Sequence, residues 1–263
     1  DDGYPPFQCM EEAWTLKGLV HPNIVDCADF FYHQVDNRSF GCIVMEWCDG
    51  GALADHCTRG SSFDQVADTL RQLVSGLIFV NRSGFIHGDV KMENVLVKQQ
   101  AHTKRDLLKL ADFGAVSRIT PSGHCGSSPT GTICFSSPER FLVDEKGPPP
   151  FDYAHTDVWS LACTVWEAAT GDCLPLGDGP QVIGKIAAKS LTNELGKQNW
   201  AQTKTTLLQN FKRTLSQSID ISNSRDVIVS TLVEMLTAMW DENANSRCAT
   251  FDDLTPFPSI CTI

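Results

Sequence analysis

The chain has 263 residues and a mass of 28.9 kDa; 42% of residues are hydrophobic and 20% charged, enough apolar material for a real core and a composition that excludes a disordered chain. Lys and Arg total 21 against 32 Asp and Glu, a net charge of −11 that argues against nucleic-acid binding, one locally basic face aside. No apolar run approaches the roughly 18 residues of a bilayer span and no signal-peptide pattern opens the chain, so a soluble globular protein without membrane contact is expected.

In chain order, residues 7–20 carry Phe7, Met10, Ala13, Trp14, Leu16, Leu19 and Val20 at near-helical spacing, which predicts one amphipathic helix. His21-Pro22-Asn23 stops it, because proline disfavours helical dihedrals in the residue before it. Ile24–Tyr32 and Ser39–Trp47 read as two strands of a hairpin joined through Asp36-Asn37-Arg38, and Asp49-Gly50-Gly51 as a turn. Phe63–Val80 is a long apolar-periodic helix with Ser61 or Ser62 as N-cap and Gly84 just past its end. Val95–Val97 and Leu107–Leu110 are short strands around a polar connection. Thr120–Thr132 and Pro148-Pro149-Pro150 read as loops, the first of them mobile. Thr156–Ala169 is apolar on nearly every side and belongs in the middle of a core. Helices with polar connections fill 181–263, Glu234 to Trp240 among them, and the whole predicts an α+β fold with its strands gathered at one end.

Eleven cysteines are scattered from Cys9 to Cys261; the closest pair, Cys42 and Cys48, lies six apart, which suits neither zinc nor dithiol chemistry. Free thiols imply a reducing, intracellular compartment, the cytoplasm before the nucleus. The acceptor patterns at Asn37 and Asn81 are then read as chance.

Three clusters stand in a fixed order: His87-Gly88-Asp89-Val90-Lys91-Met92-Glu93-Asn94, then Asp112-Phe113-Gly114, then Ser137-Pro138-Glu139. Each is weak alone, but together they match the catalytic loop, metal-binding loop and end of the activation segment in eukaryotic-type protein kinases. Over about residues 7–255 the chain resembles that family. Lys91, with Gly131-Thr132, resembles its serine/threonine branch. The resemblance implies a bilobal kinase-like fold in one domain, 1–263, with a partial small lobe at 1–47 and a mainly helical large lobe at 48–263. It implies transfer of the ATP γ-phosphate to protein Ser/Thr hydroxyls with Mg2+. Asp89 would orient the hydroxyl and take its proton, and Lys91 would neutralise the phosphate in transfer. Asn94 and Asp112 offer the hard oxygens that magnesium prefers.

Met45-Glu46-Trp47-Cys48 resembles the gatekeeper and hinge. Backbone groups of Glu46 and Cys48 would meet the adenine, leaving side-chain identity nearly free, and Leu96 and Glu12 are assigned to the nucleotide site with them. Glu12 matches the ion-pairing Glu of the small-lobe helix. Leu16, Cys27, His87 and Phe113 match an interlobe spine, Asp157 a residue holding the catalytic loop, and Arg247 a partner for Glu139.

Two departures stand out. Gly88 replaces the usual Arg, so phosphorylation in Thr120–Thr132 should not act through this position; Ala162 for Gly and Ser137 for Ala are mild. Upstream of Glu12, three strands and their loops need on the order of 20 residues. Only eleven precede it, with no Lys or Arg among residues 1–16 and Gly3 as the one glycine there. The glycine-rich loop and strand lysine are therefore expected to be missing. The chain opens on Asp1 rather than Met. One explanation is an N-terminally incomplete kinase, weak or inactive by itself. The alternative is a kinase-like, non-catalytic binding module. A small-molecule kinase fits less well, since Gly131-Thr132 and Ser137-Pro138-Glu139 resemble a peptide-seating segment. Either way, apolar strand surface should be left uncovered.

Overall fold

The computed structural model describes residues 7–36, 38–57, 61–100, 105–119, 131–141, 155–172, 174, 183–217 and 223–241. Helix α1 (Phe7–Gly18) buries Ala13 and Leu16, with Leu19 buried just beyond its end. After the break at Pro22, Asn23 is buried and donates its side-chain amide to Gln72 Oε1 and Leu108 O, both at 2.9 Å. This anchor explains a displaced strand start. Val25 N–H donates to Leu110 O and Leu110 N–H to Asn23 O, so residues 23–25 dock against another strand before the hairpin begins. Strand β1 therefore runs Cys27–Val35 rather than Ile24–Tyr32; its antiparallel partner β2 runs Arg38–Met45 rather than Ser39–Trp47.

The two faces of that hairpin differ. Phe30 and Ile43 are opposite each other on the α1 side, where Ile43 packs against the core and the Tyr32 hydroxyl reaches Met10 Sδ at 3.2 Å. On the other face Phe31, Phe40 and Val44 are 47%, 47% and 40% exposed, the uncovered apolar surface expected from so short a sheet.

Helix α2 (Phe63–Arg82) starts on a capping box: Ser62 Oγ accepts from Gln65 N–H, and Gln65 Oε1 accepts from Ser62 N–H at 2.8 Å. Val66, Leu70, Leu73, Leu77 and Val80 form its buried stripe. Strands β3 (Phe85–Ile86) and β6 (Ser117–Arg118) pair with each other, as do β4 (Val95–Lys98) and β5 (Leu107–Leu110). The β3/β6 pair is too short to leave a periodic signal. Helix α3 (Thr156–Thr170) is buried at every residue from Thr156 to Ala169. Around it lie α4 (Ile183–Ser190), α5 (Glu194–Gln217) and α6 (Asn223–Met239); Trp166 Nε1–H donates to Leu207 O at 2.9 Å, tying α3 to α5. Met235, Leu236, Met239 and Trp240 face the core as expected.

Among the described residues Cys27, Cys42, Cys48, Cys57, Cys134 and Cys163 form no disulfide, and no helix is long and apolar enough to cross a membrane. Residues 120–130 of the expected mobile loop, Pro148-Pro149-Pro150 and Arg247 lie outside the described residues.

Candidate active site

The catalytic-loop motif follows β3, and its backbone is fixed from below. The Asp157 carboxylate, in the first turn of α3, accepts His87 N–H at 2.8 Å on one oxygen and Gly88 N–H at 2.9 Å on the other. Burial pushes the Asp157 carboxyl up; the two N–H groups pull the other way. His87 is itself buried. Its Nδ1 accepts from Asp89 N–H at 3.3 Å, so Nε2 carries the proton and donates to Ala111 O at 3.1 Å. Its ring lies 4.7 Å from that of Phe113, and Leu16, Cys27, His87 and Phe113 are all buried.

Asp89 is the centre of the site. Its Oδ1 accepts Thr132 N–H at 2.6 Å, while its Oδ2 accepts the Asn94 side-chain amide at 2.9 Å and pairs with Lys91 Nζ at 2.9 Å. Burial alone would raise its pKa, but Lys91 and Thr132 outweigh it and hold the carboxyl below its ordinary range. Lys91 Nζ also donates to Thr132 Oγ1 at 2.6 Å, and Asn94 Nδ2 to Asp89 O at 2.9 Å. With its amide hydrogens so spent, Asn94 is left with an acceptor oxygen as its remaining chemistry.

Ala111 N–H donates to Asn94 O at 2.9 Å, which brings the next residue, Asp112, beside the loop. Asp112 sits in the left-handed region (φ 59°, ψ 75°), and its carboxylate accepts from Gly114 N–H at 3.3 Å. Asp tolerates that region better than most residues, at a cost of order 1 kcal/mol. Glu12 reaches the same turn from α1. Burial and the Asp112 charge push its carboxyl up, against a hydrogen bond from Phe113 N–H. Among the described residues Glu12 makes no ion pair.

Gly88 has a structural reason that sequence reasoning did not find. Its φ is +81°, and a Cβ there would meet Ala115 O at 2.6 Å. A Cβ on Gly131, also at positive φ (+99°), would collide with Gly88 O. Gly131 thus lets the chain entering Thr132 lie directly on the catalytic loop, which delivers Thr132 N–H to Asp89, while Gly88 admits the turn that follows Asp112.

The segment after β2 corrects one expectation. The Glu46 side chain is not free: its Oε1 pairs with Lys109 Nζ and its Oε2 with Lys98 Nζ, both at 2.5 Å, and its Oε1 accepts Asp26 N–H at 2.8 Å. Burial would raise its pKa, but these three donors hold it at about 2. A lysine inside the apolar strand Leu107-Leu108-Lys109-Leu110 was the available signal, since a buried ammonium demands a partner. Cys48 is buried, and Gly50 N–H donates to Val97 O at 2.8 Å, which brings this segment to β4, where half-buried Leu96 bridges Ala52.

The structure therefore joins Asp89, Lys91, Asn94 and Thr132 in one network, sets Glu12 beside Asp112, and brings the Glu46–Cys48 segment to the strand that carries Leu96. The model of the protein kinase domain matches residues 5–255, and the chain belongs to that family. It is similar to the cytokinesis protein sepH of Aspergillus niger, 35% identical over 164 residues, which is 62% of this chain and 11% of that protein. It is also similar to human mitogen-activated protein kinase kinase kinase 5, 29% identical over 211 residues, 77% of this chain and 14% of that protein. A third relative is the serine/threonine-protein kinase STE20 of Saccharomyces cerevisiae, 30% identical over 176 residues, 65% of this chain and 17% of that protein. The chain thus spans well under a fifth of these relatives.

Proposed function

We propose that this chain is the kinase domain of an ATP- and Mg2+-dependent serine/threonine protein kinase, with residues 1–47 in the small lobe and 48–263 in the large lobe. The observation that carries the reading is the network of Asp89, Lys91, Asn94 and Thr132, in which Asp89 Oδ1 accepts one hydrogen bond and keeps a lone pair. Asp89 is ionised and its oxygens are fixed in direction, which suits a group that orients a substrate hydroxyl and accepts its proton. Lys91 stands next to it, placed to offset charge on the phosphoryl group in transfer. Asn94 and Asp112 supply oxygens for magnesium, and their donor chemistry fits a hard cation. Magnesium bound with the nucleotide would neutralise the phosphate charge. Backbone groups of Glu46 and Cys48 would read the adenine edge over Leu96, with Glu12 at the phosphate end of the cleft.

The test is Asp112→Asn in the full-length protein. Magnesium-dependent phosphorylation of a Ser/Thr peptide should disappear while the melting temperature stays put; undiminished turnover refutes the assignment.

The uncovered sheet face, Phe31, Phe40 and Val44, favours a second reading, a kinase-like module that binds a partner without catalysis. That reading requires that ATP with magnesium leave the melting temperature unchanged.

A further inference from the structure

Lys109 is buried in β5, at 6% exposure, and β4 and β5 are in a register that places Leu96 directly opposite it. Residues opposite in an antiparallel pair share a face, and Lys98, two residues on from Leu96, shares it too. One face of this hairpin therefore carries Leu96 and two ammonium groups together. Both ammonium groups end on Glu46, one on each carboxylate oxygen. Lys109 Nζ also donates to Ile24 O at 3.2 Å, and Glu46 N–H donates to Asp26 O at 2.9 Å, so the segment that precedes β1 is held by the same cluster.

Glu46 holds its charge across the physiological range, and the donors that fix it come from three separate stretches of chain. Its side chain and its peptide groups leave the backbone at one Cα. Fixing the first restricts the second.

We propose that Lys109, assisted by Lys98, is a positioning residue for nucleotide: by gripping the Glu46 carboxylate it sets the distance between the peptide groups of 46–48 and Leu96, and so the width of the slot that takes the adenine. The inference rests on the reading above, that this segment faces adenine. The clamp acts on the base and not on the phosphates, which separates it from a general contribution to folding.

The test uses the full-length protein with two probes, adenosine for the base and magnesium tripolyphosphate for the phosphate end, measured by calorimetry with the melting temperature alongside. Lys109→Met should weaken adenosine about tenfold and leave tripolyphosphate within about twofold. Lys98→Met, at a side chain 41% exposed and so tolerant of change, should weaken adenosine about two- to threefold with a smaller drop in melting temperature than Lys109→Met. In turnover, KM for ATP should rise in both while kcat holds. The proposal is overturned if Lys109→Met lowers the melting temperature while adenosine affinity stays at the wild-type value, or if both probes weaken equally. Wild-type protein that binds tripolyphosphate but neither adenosine nor ATP would instead overturn the adenine assignment, and the clamp's role with it.

Discussion

Replacing Gly88 with Ala, and then with the Arg that the family resemblance places there, isolates what this residue does. At φ +81° an L side chain costs about 1–2 kcal/mol relative to glycine. The added Cβ would also sit 2.6 Å from Ala115 O, so that oxygen has to move by several tenths of an ångström. Overpacking of that kind costs about 1–3 kcal/mol. The sum is about 2–5 kcal/mol for Gly88→Ala. Gly84→Ala is the control, because its φ is +84° but nothing lies within 4 Å of its Cβ position; it should carry the backbone cost alone. Urea unfolding of the three proteins reads the difference directly, and the two alanine variants should differ by about 1–3 kcal/mol. Ala115 closes the turn Phe113–Ala115 that follows Asp112, so Gly88→Ala and Gly88→Arg should also lose phosphorylation activity, while Gly84→Ala keeps it. An unfolding midpoint for Gly88→Arg equal to wild type would refute the steric argument, and equal losses at 84 and 88 would reduce it to backbone strain.

Asp89→Asn should cut kcat by about a hundredfold or more while the Kd for ATP moves by less than about threefold; a large loss of ATP affinity contradicts the hydroxyl-orienting role. Asp157→Ala strands two N–H groups, at about 1–3 kcal/mol each, so urea unfolding should show a loss of about 2–6 kcal/mol, with Asp157→Asn losing about half as much through its one remaining acceptor oxygen. Equal stability of wild type and Asp157→Ala would count against that pinning. Glu46 has its folded pKa lowered from 4.5 to about 2, so its contribution is present above about pH 4.5 and drains away as pH falls toward 2. The shift corresponds to at most about 3 kcal/mol, nearer 1–2 once solvent screening through exposed Lys98 is allowed for. The stability gap between wild type and Glu46→Gln should therefore shrink between pH 5 and pH 2.5; a gap that stays constant would show that the charge contributes nothing.

The long elements were legible because their signals are local. Ser62 and Gln65 cap α2 within one turn, and the apolar stripe of α2 repeats often enough to fix its face. The start of β1 was not, since what takes Ile24 out of the strand is Leu110, 86 positions away in the sequence. The loop residues proposed for the chemistry were legible as motifs, yet two features of the site were not. Whether Gly88 is a mild substitution or a sterically required one depends on a carbonyl at Ala115, which belongs to another motif. Whether the Glu46 side chain is idle or clamped depends on two lysines on a later hairpin. In both cases the deciding partner is distant along the chain, and neither residue type announces it.

The site handles its charges in two ways. Asp89 is compensated in place by Lys91, and Glu46 by Lys98 and Lys109, and in each case the donors pull the carboxyl below its ordinary range despite burial. Glu12 and Asp112 are arranged oppositely: burial and mutual repulsion raise Glu12, and a backbone N–H is a weak answer to a carboxylate pair. A chain of net charge −11 gains nothing in stability from setting two carboxylates side by side. The arrangement becomes favourable when a cation is brought between them. Among the described residues, stability is thus given up where Glu12 meets Asp112 and secured by ion pairs at Asp89 and Glu46.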